Sequence, residues 1–191
     1  MRRGMSAAAA AVVICALAAS AAAQEGVFLS EDDAPRAVFP DGDRFERSEI
    51  PATDELRERM KAGLDGTSVS LWEADYTAFR AWRGATELGR AFLVEEIGKH
   101  RPITFVVGVR TDGRVQDVAV VAYREAYGGE IRNRRFLVQY KGKRATDSVQ
   151  PYDAITNIAG ATLSVEAASR AVKKALALAA ATNSAPTDAP K

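Results

Sequence analysis

Apolar residues recur along this chain with two periods, one typical of helices and one typical of strands. Leu56, Met60 and Leu64 follow Thr53 at helical spacing, and a threonine at that position can cap a first turn. The pattern therefore predicts a helix that begins after Thr53, presents these three side chains to a core and ends at a nearby glycine.

Four strands are predicted in the middle of the chain, where β-branched and aromatic residues gather in short runs. Two such runs cover residues 76–82 and 90–97. A third run, 103–110, is followed by the turn Thr111-Asp112-Gly113 and by a fourth run, 115–123. Asp-Gly between two such runs is a strong hairpin signal. Both arms are apolar at nearly every position, so we expect them at the centre of an antiparallel sheet that is covered on both faces.

The last third of the chain returns to the helical period. A helix over about 130–140 is predicted after a loop at 124–129, and a polar connection then leads to Ser164. A serine at this point predicts the cap of a last helix that runs to about residue 181. The order of elements favours an α+β fold: a single domain with a twisted antiparallel sheet flanked by helices.

The first 23 residues have the pattern of a signal peptide. Arg2 and Arg3 supply a positive start, an alanine-rich apolar stretch follows, and Ala21 and Ala23 are the small residues that precede a cleavage site. We therefore expect cleavage after Ala23 and export to a periplasmic or other extracytoplasmic location, with the protein soluble after cleavage.

The remaining residues divide into three parts by composition. Residues 24–66 are predicted to hold an extended acidic segment, anchored by Val38 and Phe39, and the first helix. Residues 67–181 hold the strands, the loop and the last helix, and we expect the chemistry there. Residues 182–191 are rich in Ala, Pro, Ser and Thr, which predicts a disordered tail.

Composition and charge exclude several classes of function. The sequence has 26 Lys and Arg against 25 Asp and Glu, and removal of Arg2 and Arg3 with the signal peptide leaves 24 against 25. This balance, with only 7% aromatic residues, argues against a nucleic-acid partner. Cys15 is the one cysteine and lies in the signal peptide, so the exported chain has no thiol for a disulfide, an iron–sulfur cluster or haem attachment. No metal site is predicted.

The segment that is the best candidate for a chemical role is Ile158-Ala159-Gly160-Ala161-Thr162-Leu163-Ser164. Gly160 and Ala161 remove side chains just before a helix start, which lets a ligand approach the backbone. The Thr162 hydroxyl would lie beside free N–H groups of the helix, and such a helix end attracts phosphate. These residues alone are also compatible with a turn that serves only packing, so phosphate binding and phosphoester attachment remain alternatives at this stage.

This segment resembles the flavinylation motif of the FMN-binding domain family, which includes the C subunit of sodium-pumping NADH:quinone reductases and the G subunit of Rnf complexes. In that family a dedicated flavin transferase esterifies the last hydroxyl of a Ser/Thr-Gly-Ala-Thr/Ser stretch to the phosphate of FMN, and the matching residue here is Thr162. The resemblance covers roughly residues 103–178, including three upstream stretches: Glu125-Ala126-Tyr127-Gly128-Gly129, Phe136-Leu137 and Lys141-Gly142-Lys143. In the family the first of these is a loop that lines the isoalloxazine ring.

The resemblance implies that residues 67–181 form an FMN-binding domain with its site at the N-terminus of the last helix. Tyr127 and Trp82 are candidates to stack on the ring. The implied cofactor-binding residues come from both motif segments: Glu125, Gly128, Gly129, Gly160, Ala161, Thr162, Leu163 and Ser164. The implied partners are a flavin transferase for maturation and a membrane or periplasmic redox protein.

The leading hypothesis is an extracytoplasmic electron-transfer flavoprotein that carries FMN on a phosphoester to Thr162. We expect an electron carrier or redox subunit rather than an independent enzyme, with no catalytic residue of its own. A small flavin-dependent reductase is an alternative, although the chain lacks the Gly-x-Gly-x-x-Gly pattern of NAD(P)H binding.

The chain departs from the family pattern at three positions. Ala159 stands where the family has Ser or Thr, Thr156 where it has an aspartate that the transferase reads, and Tyr127 where it has proline. Asp153 lies three residues before Thr156 and would replace that aspartate only in a rearranged loop. These departures keep a third possibility open, a flavin-free exported binding or assembly module of the same fold.

Overall fold

The computed structural model describes residues 26–183, so the predicted signal peptide and the predicted tail beyond residue 183 lie outside the described part. Its frame is a six-stranded antiparallel sheet in the order β1-β6-β5-β4-β3-β2. From β2 to β6 each strand pairs with the next along the chain, and β1 is added at the β6 edge. The strands are Gly26–Val27 (β1), Arg44–Pro51 (β2), Asp75–Arg83 (β3), Thr86–Ile97 (β4), Pro102–Arg110 (β5) and Val115–Tyr123 (β6).

Helices cover both faces of this sheet. The longest, α4, has 22 residues and packs across β4 and β5 with α2 beside it, while α1 lies on the opposite face. This arrangement confirms the predicted α+β class. The helices are Ala34–Val38 (α1), Asp54–Gly63 (α2), Arg134–Leu137 (α3) and Thr162–Asn183 (α4), with 3₁₀ turns at Gly129–Arg132 and Val138–Tyr140. None of the helices between residues 26 and 183 combines the length and apolarity needed to cross a membrane.

The sheet carries an apolar core on each face. Phe105 and Val107 of β5 point into the larger core under α2 and α4, whereas Val106 points into the smaller core under α1. Successive side chains of a strand point to opposite faces, so a strand buried on both sides must be apolar at every position. The prediction of a hairpin covered on both faces is therefore confirmed, but only β5 is central, because β6 is flanked on its outer side by the two-residue strand β1 alone. Val38 and Phe39 are buried in the smaller core, as expected of anchors, but the segment that carries them is not extended throughout, because Ala34–Val38 forms α1.

The first predicted helix is confirmed with its cap. The Thr53 Oγ1 accepts a hydrogen bond from the Leu56 amide at 3.2 Å, and Leu56, Met60 and Leu64 are all buried. The strand β2 was missed by the sequence analysis. It is an edge strand whose side chains are largely exposed, so it shows no apolar alternation along the sequence.

Two helix predictions need correction. The helix expected over 130–140 is broken at Asn133, where the backbone is extended (φ −66°, ψ 118°) and the side chain accepts from the Arg135 amide at 2.9 Å. An asparagine that bonds locally in this way competes with helix continuation and caps a new one. The last helix begins at Thr162 rather than after a Ser164 cap, and it ends at Asn183, two residues into the predicted tail.

Candidate functional site

The candidate site lies at the first turn of α4. Gly160 has a left-handed backbone (φ +82°), and a Cβ added there would meet nothing within 4 Å. Ala161 is buried, and its carbonyl accepts the Val165 amide at 3.0 Å, which makes Thr162 the first helical residue. The chain therefore enters the helix through a bare, open turn beside the Thr162 side chain.

The first turn of α4 presents unpaired hydrogen-bond donors. The amides of Thr162, Leu163 and Ser164 have no acceptor within residues 26–183, because no helical turn precedes them. The first turn also contains no acidic side chain that would compete for these donors. Converging N–H groups and the positive end of the helix dipole favour an anion at this position.

Two polar side chains from the preceding loop converge on the Thr162 hydroxyl. Asn157 Nδ2 donates to Thr162 Oγ1 at 2.9 Å, and the Tyr152 hydroxyl lies 3.3 Å from the same oxygen. The Asn157 Oδ1 is buried and has no hydrogen-bond partner among the described residues. The half-buried Thr162 hydroxyl is therefore held in place from the loop side, next to one unsatisfied acceptor.

The sequence analysis missed Tyr152 and Asn157. Tyr152 is three-quarters exposed and has a left-handed backbone (φ +66°), which is uncommon for a bulky residue outside functional sites. The only signal in the sequence was a tyrosine after Pro151 and an asparagine five residues before the threonine. Neither spacing identifies a contact, because this loop has no regular period.

The structure brings the second motif segment against the same turn of α4. Tyr123 at the end of β6 donates a hydrogen bond to the Tyr127 carbonyl, and its hydroxyl lies 3.0 Å from Ser164 Oγ. Gly128 packs into this corner with a left-handed backbone (φ +88°), where a Cβ would lie 2.6 Å from Ser164 Oγ. Burial raises the pKa of Tyr123, so its hydroxyl stays a donor at neutral pH. Gly129 follows, buried, at the start of a 3₁₀ turn.

The role of Ser164 differs from the predicted one. Its side chain is 4% exposed and contacts Tyr123, so it joins the loop to the helix rather than capping the helix. Of the two hydroxyl-bearing side chains in the motif, that of Thr162 is half-buried and contacts Asn157 and Tyr152. Leu163 between them is 43% exposed.

The Glu125 side chain is buried and hydrogen-bonded within the protein. Its Oε1 accepts hydrogen bonds from the amides of His100 at 2.5 Å and Arg101 at 2.8 Å. Burial opposes ionisation, but the amide hydrogen bonds from this turn together outweigh it and lower the pKa of Glu125. The ionised carboxylate therefore holds the turn between β4 and β5. A contact of Glu125 with a cofactor stays a prediction.

Of the two predicted stacking residues, the structure places only Tyr127 near the site. Trp82 pairs with Glu87 at the end of the sheet where α4 finishes, since Arg90 in the same strand donates to Thr182 Oγ1 at 3.0 Å. The 20 residues from Thr162 to Thr182 span about 30 Å of helix. Trp82 is therefore excluded as a neighbour of Thr162. Tyr127 is 79% exposed on the loop that Tyr123 ties to the first turn.

The positions that depart from the family pattern do not contact Thr162 themselves. Asp153 Oδ2 accepts from Ser148 Oγ at 2.7 Å, and the Thr156 amide donates to Gln139 Oε1 at 2.8 Å. Asp153 therefore does not take the place of the aspartate that is absent at Thr156. The neighbouring Asn157 is the side chain that reaches the threonine.

A cleft of about 340 Å³ opens beside this turn. Thr162, Glu166 and Arg170 are spaced four residues apart and so share one face of α4, and the last two of them line the cleft. Residues 66–68 form the opposite wall, and residues 149–152, ending in Tyr152, form the side nearest to Thr162.

The residues at the turn fit a phosphate-bearing cofactor. The unpaired amides of the first turn and the open space at Gly160 suit a phosphate group, and the unsatisfied Asn157 Oδ1 offers an acceptor for a neighbouring hydroxyl. No group of three His, Cys, Asp or Glu side chains within residues 26–183 is placed to hold a metal ion.

Comparison with known proteins agrees with this geometry. Residues 98–177 match the family described as FMN-binding domain, and this stretch contains both the Gly128 loop and the Thr162 turn. No curated protein matches the chain. The resemblance noted in the sequence is thereby confirmed for this stretch: residues 98–177 match the FMN-binding domain family, and this match supports FMN as the cofactor.

Proposed function

We propose that this protein is an extracytoplasmic electron-transfer flavoprotein whose FMN is attached through a phosphoester to Thr162. The observation that carries the attachment is the contrast between two hydroxyls that lie two residues apart in α4. Ser164 Oγ is buried against Tyr123, whereas the Thr162 side chain is only half-buried and belongs to the first residue of the helix, where the amides are unpaired. Thr162 is therefore the hydroxyl that a phosphate at these amides would meet.

The loop residues prepare the Thr162 oxygen for this bond. The Asn157 amide donates to Thr162 Oγ1, which fixes the oxygen and leaves the hydroxyl proton free to point elsewhere. In the attachment an oxygen–phosphorus bond forms at Thr162 Oγ1 and the phosphoanhydride bond of a flavin dinucleotide donor breaks. The other nucleoside monophosphate is the leaving group, and the hydroxyl proton is released with it. The product is heavier than the unmodified chain by FMN minus one water.

Export gives a physical reason for a covalent bond. A signal peptide is expected at residues 1–23, and a protein outside the cytoplasm has no FMN pool from which a dissociated cofactor could be replaced. FMN supplies the electron chemistry, while the protein supplies binding, orientation and nearby charge. We propose a membrane or periplasmic redox protein as the electron partner.

The test is the intact mass of the exported protein after co-expression with a flavin transferase. We expect a mass gain of FMN minus water in the wild type and in Thr162→Ser, and none in Thr162→Ala. Ser164→Ala is the matched control, because it removes the other hydroxyl of the motif and should keep the mass gain. An unmodified wild type, or a gain that survives Thr162→Ala, would contradict the attachment.

FMN held without a covalent bond is the second candidate, and the structure gives it one specific observation. Asp153 is bonded to Ser148 and does not supply the carboxylate that is absent at Thr156. If the family transferase requires that carboxylate, the protein will be yellow when folded and lose its flavin on denaturation. Flavin fluorescence on a denaturing gel separates the two cases, because only covalently attached flavin stays with the unfolded chain.

A further inference from the structure

We propose that this protein forms a two-fold symmetric dimer through the outer edge of β2, which pairs antiparallel with β2 of a second copy. The strand covers Arg44–Pro51 and is the last in the order of the sheet. In the dimer Arg47 lies opposite Glu49 of the second copy, and the two sheets become one. The proposal goes beyond the flavin site and does not depend on it.

The edge of β2 is long, regular and uncovered. The strand has eight residues, most of them exposed, and all eight pair with β3 in one register without a bulge. Its outer side pairs with no other strand among the described residues. An edge of this kind is a ready template for another strand, because its outward N–H and C=O groups lack strand partners.

The hydrogen-bond pattern identifies the residues that offer these outward groups. Pro51 has no N–H, so its pair with β3 is not hydrogen-bonded, and the next amide, that of Ala52, donates to the Ala74 carbonyl at 3.0 Å. Hydrogen-bonded and non-hydrogen-bonded pairs alternate along an antiparallel ladder. The residues whose backbone N–H and C=O point away from β3 are therefore Phe45, Arg47 and Glu49.

Charge selects one register for the pairing of two copies. Hydrogen bonds form where outward-facing residues lie opposite each other. The choices for Arg47 are therefore Phe45, Arg47, Glu49 and Pro51 of the second copy. The first register sets Glu46 against Glu46, the second Arg47 against Arg47, and the last Glu49 against Glu49. Like charges directly opposite each other destabilise a strand pair, so only the register with Arg47 against Glu49 is free of repulsion.

The two charged residues are placed for this contact. Both side chains are 46% exposed, and Arg47 Nε donates to Glu49 Oε1 of its own strand at 2.9 Å, while Arg47 Nη2 lies 3.1 Å from Glu31. Glu49 Oε2 accepts from Thr77 Oγ1 at 2.9 Å, which fixes the carboxylate at the edge. Two-fold pairing adds Arg47 and Glu49 of the second copy, so positive and negative side chains alternate around the contact. A network of this kind contributes more than an isolated surface ion pair.

The mixed charge of β2 distinguishes it from a protected edge. Edges that stay single commonly carry lysine, a proline within the strand or a bulge. In β2 arginine and glutamate are interspersed, the proline is the last residue, and the register with β3 is unbroken. The edge therefore repels misaligned copies and accepts an aligned one.

This pairing leaves the candidate site of each copy open. Pro51 ends β2 at the same end of the sheet as Tyr123 of β6, because each strand is antiparallel to the next. Antiparallel pairing of β2 turns the second copy round, so the two sites lie at opposite ends of the joined sheet. The dimer therefore carries two separate sites rather than one shared site.

The first experiment reads the register directly in the exported full-length protein. In the proposed register Ser48 faces Ser48 of the second copy in a non-hydrogen-bonded pair, whose Cα atoms are about 4.5 Å apart. This separation suits a disulfide, and the exported chain is expected to have no other cysteine. We expect Ser48→Cys to give a cross-linked dimer with copper phenanthroline as the oxidant. Glu46→Cys is the matched control, because residue 46 faces Ile50 of the second copy and should stay uncross-linked.

The second experiment measures dimerisation by analytical ultracentrifugation. Arg47→Glu sets two carboxylates against each other, so we expect the dissociation constant of the dimer to rise about tenfold or more. Glu49→Arg should have a similar effect, and the double exchange of Arg47→Glu with Glu49→Arg should restore dimerisation because opposite charges again face each other.

Three results would overturn the proposal: a wild type that stays monomeric at its highest soluble concentration, single exchanges that leave the dissociation constant unchanged, or equal cross-linking at positions 46 and 48. Neither readout requires FMN, so failure of the dimer and failure of the attachment at Thr162 are distinguishable.

Discussion

Lys174 of α4 and Glu96 of β4 are both fully buried, with the Lys174 Nζ 3.0 Å from the Glu96 Oε1. The lysine also donates to Glu73 at 2.7 Å, and its ammonium lies 5.2 Å from the centre of the Trp72 ring. Together with Arg170 this cluster joins α4, β4 and the segment after α2. It is the polar part of an interface that is otherwise apolar. It also lies behind the wall of the cleft that residues 66–68 form.

Removal of the Glu96 carboxylate leaves buried Lys174 with Glu73 as its remaining acidic partner and takes away the acceptor of Ser70 and Arg170. We therefore expect Glu96→Ala to lower the free energy of unfolding by about 3–5 kcal/mol, measured by chemical denaturation. Glu58→Ala is the control, since the Glu58–Lys61 pair on α2 is exposed and its loss should cost about 0–1 kcal/mol. Equal effects of the two substitutions would show that the buried pair is not what holds this interface.

Gly128 and Gly113 form a matched pair for the closed corner of the site. Both have left-handed backbones, with φ +88° and +79°, but a Cβ at Gly113 meets nothing within 4 Å. Gly113→Ala should therefore cost only the conformational penalty of about 1–2 kcal/mol. Gly128→Ala adds a clash with Ser164 and Tyr123, so we expect a clearly larger loss in thermal unfolding and a lower yield of flavin attachment.

If Gly128→Ala instead unfolds at the same temperature as Gly113→Ala and attaches FMN normally, then the corner tolerates a methyl group. The close packing of Gly128 against Ser164 and Tyr123 would then not be required to hold the loop against α4.

Substitution of Tyr123 and of Tyr140 tests whether the hydrogen bond between the 124–129 loop and α4 affects cofactor binding. Each hydroxyl meets a serine of α4, Tyr123 with Ser164 at 3.0 Å and Tyr140 with Ser169 at 2.9 Å. Replacement of either tyrosine by phenylalanine should cost about 1–3 kcal/mol of stability through the unpaired polar group left behind. Only Tyr123→Phe releases the Tyr127 carbonyl, so only it should change the extent of attachment or the visible circular dichroism of the flavin. A similar change in Tyr140→Phe would assign the effect to general loosening of α4.

Glu125 makes a pH-dependent contribution to stability. Its pKa in the folded protein is below the ordinary value of 4.5, so it binds protons less readily than in the unfolded chain, and its contribution is present above that value and lost as the pH falls through the folded pKa. Glu125→Gln should therefore be less stable than the wild type at neutral pH by about 1–3 kcal/mol. The difference should shrink below pH 4.5 in urea unfolding curves. A difference that is constant from neutral to acidic pH would show that the charge of Glu125 is not involved.

Local pattern was sufficient where local physics decides the structure. The β5–β6 hairpin, the Thr53 cap and the apolar face of α2 follow from side-chain period and turn chemistry, which act within a few residues. The Gly160-Ala161-Thr162 turn was found in the same way, and its resemblance to a family supplied the cofactor. These features could be predicted before any contact was known.

Tertiary structure decided which residues meet at the site. Tyr152 and Asn157 reach Thr162 through an irregular loop, Glu125 turns inward to hold a distant turn, and Lys174 is buried in a helix whose sequence would place it in solvent. The contacts at Thr162 depend on the path of an irregular loop, and those of Glu125 and Lys174 depend on partners far along the chain. A polar side chain is buried only when it has a hydrogen-bond or ion-pair partner. The residue pattern of one segment does not show which residue of another segment that partner is.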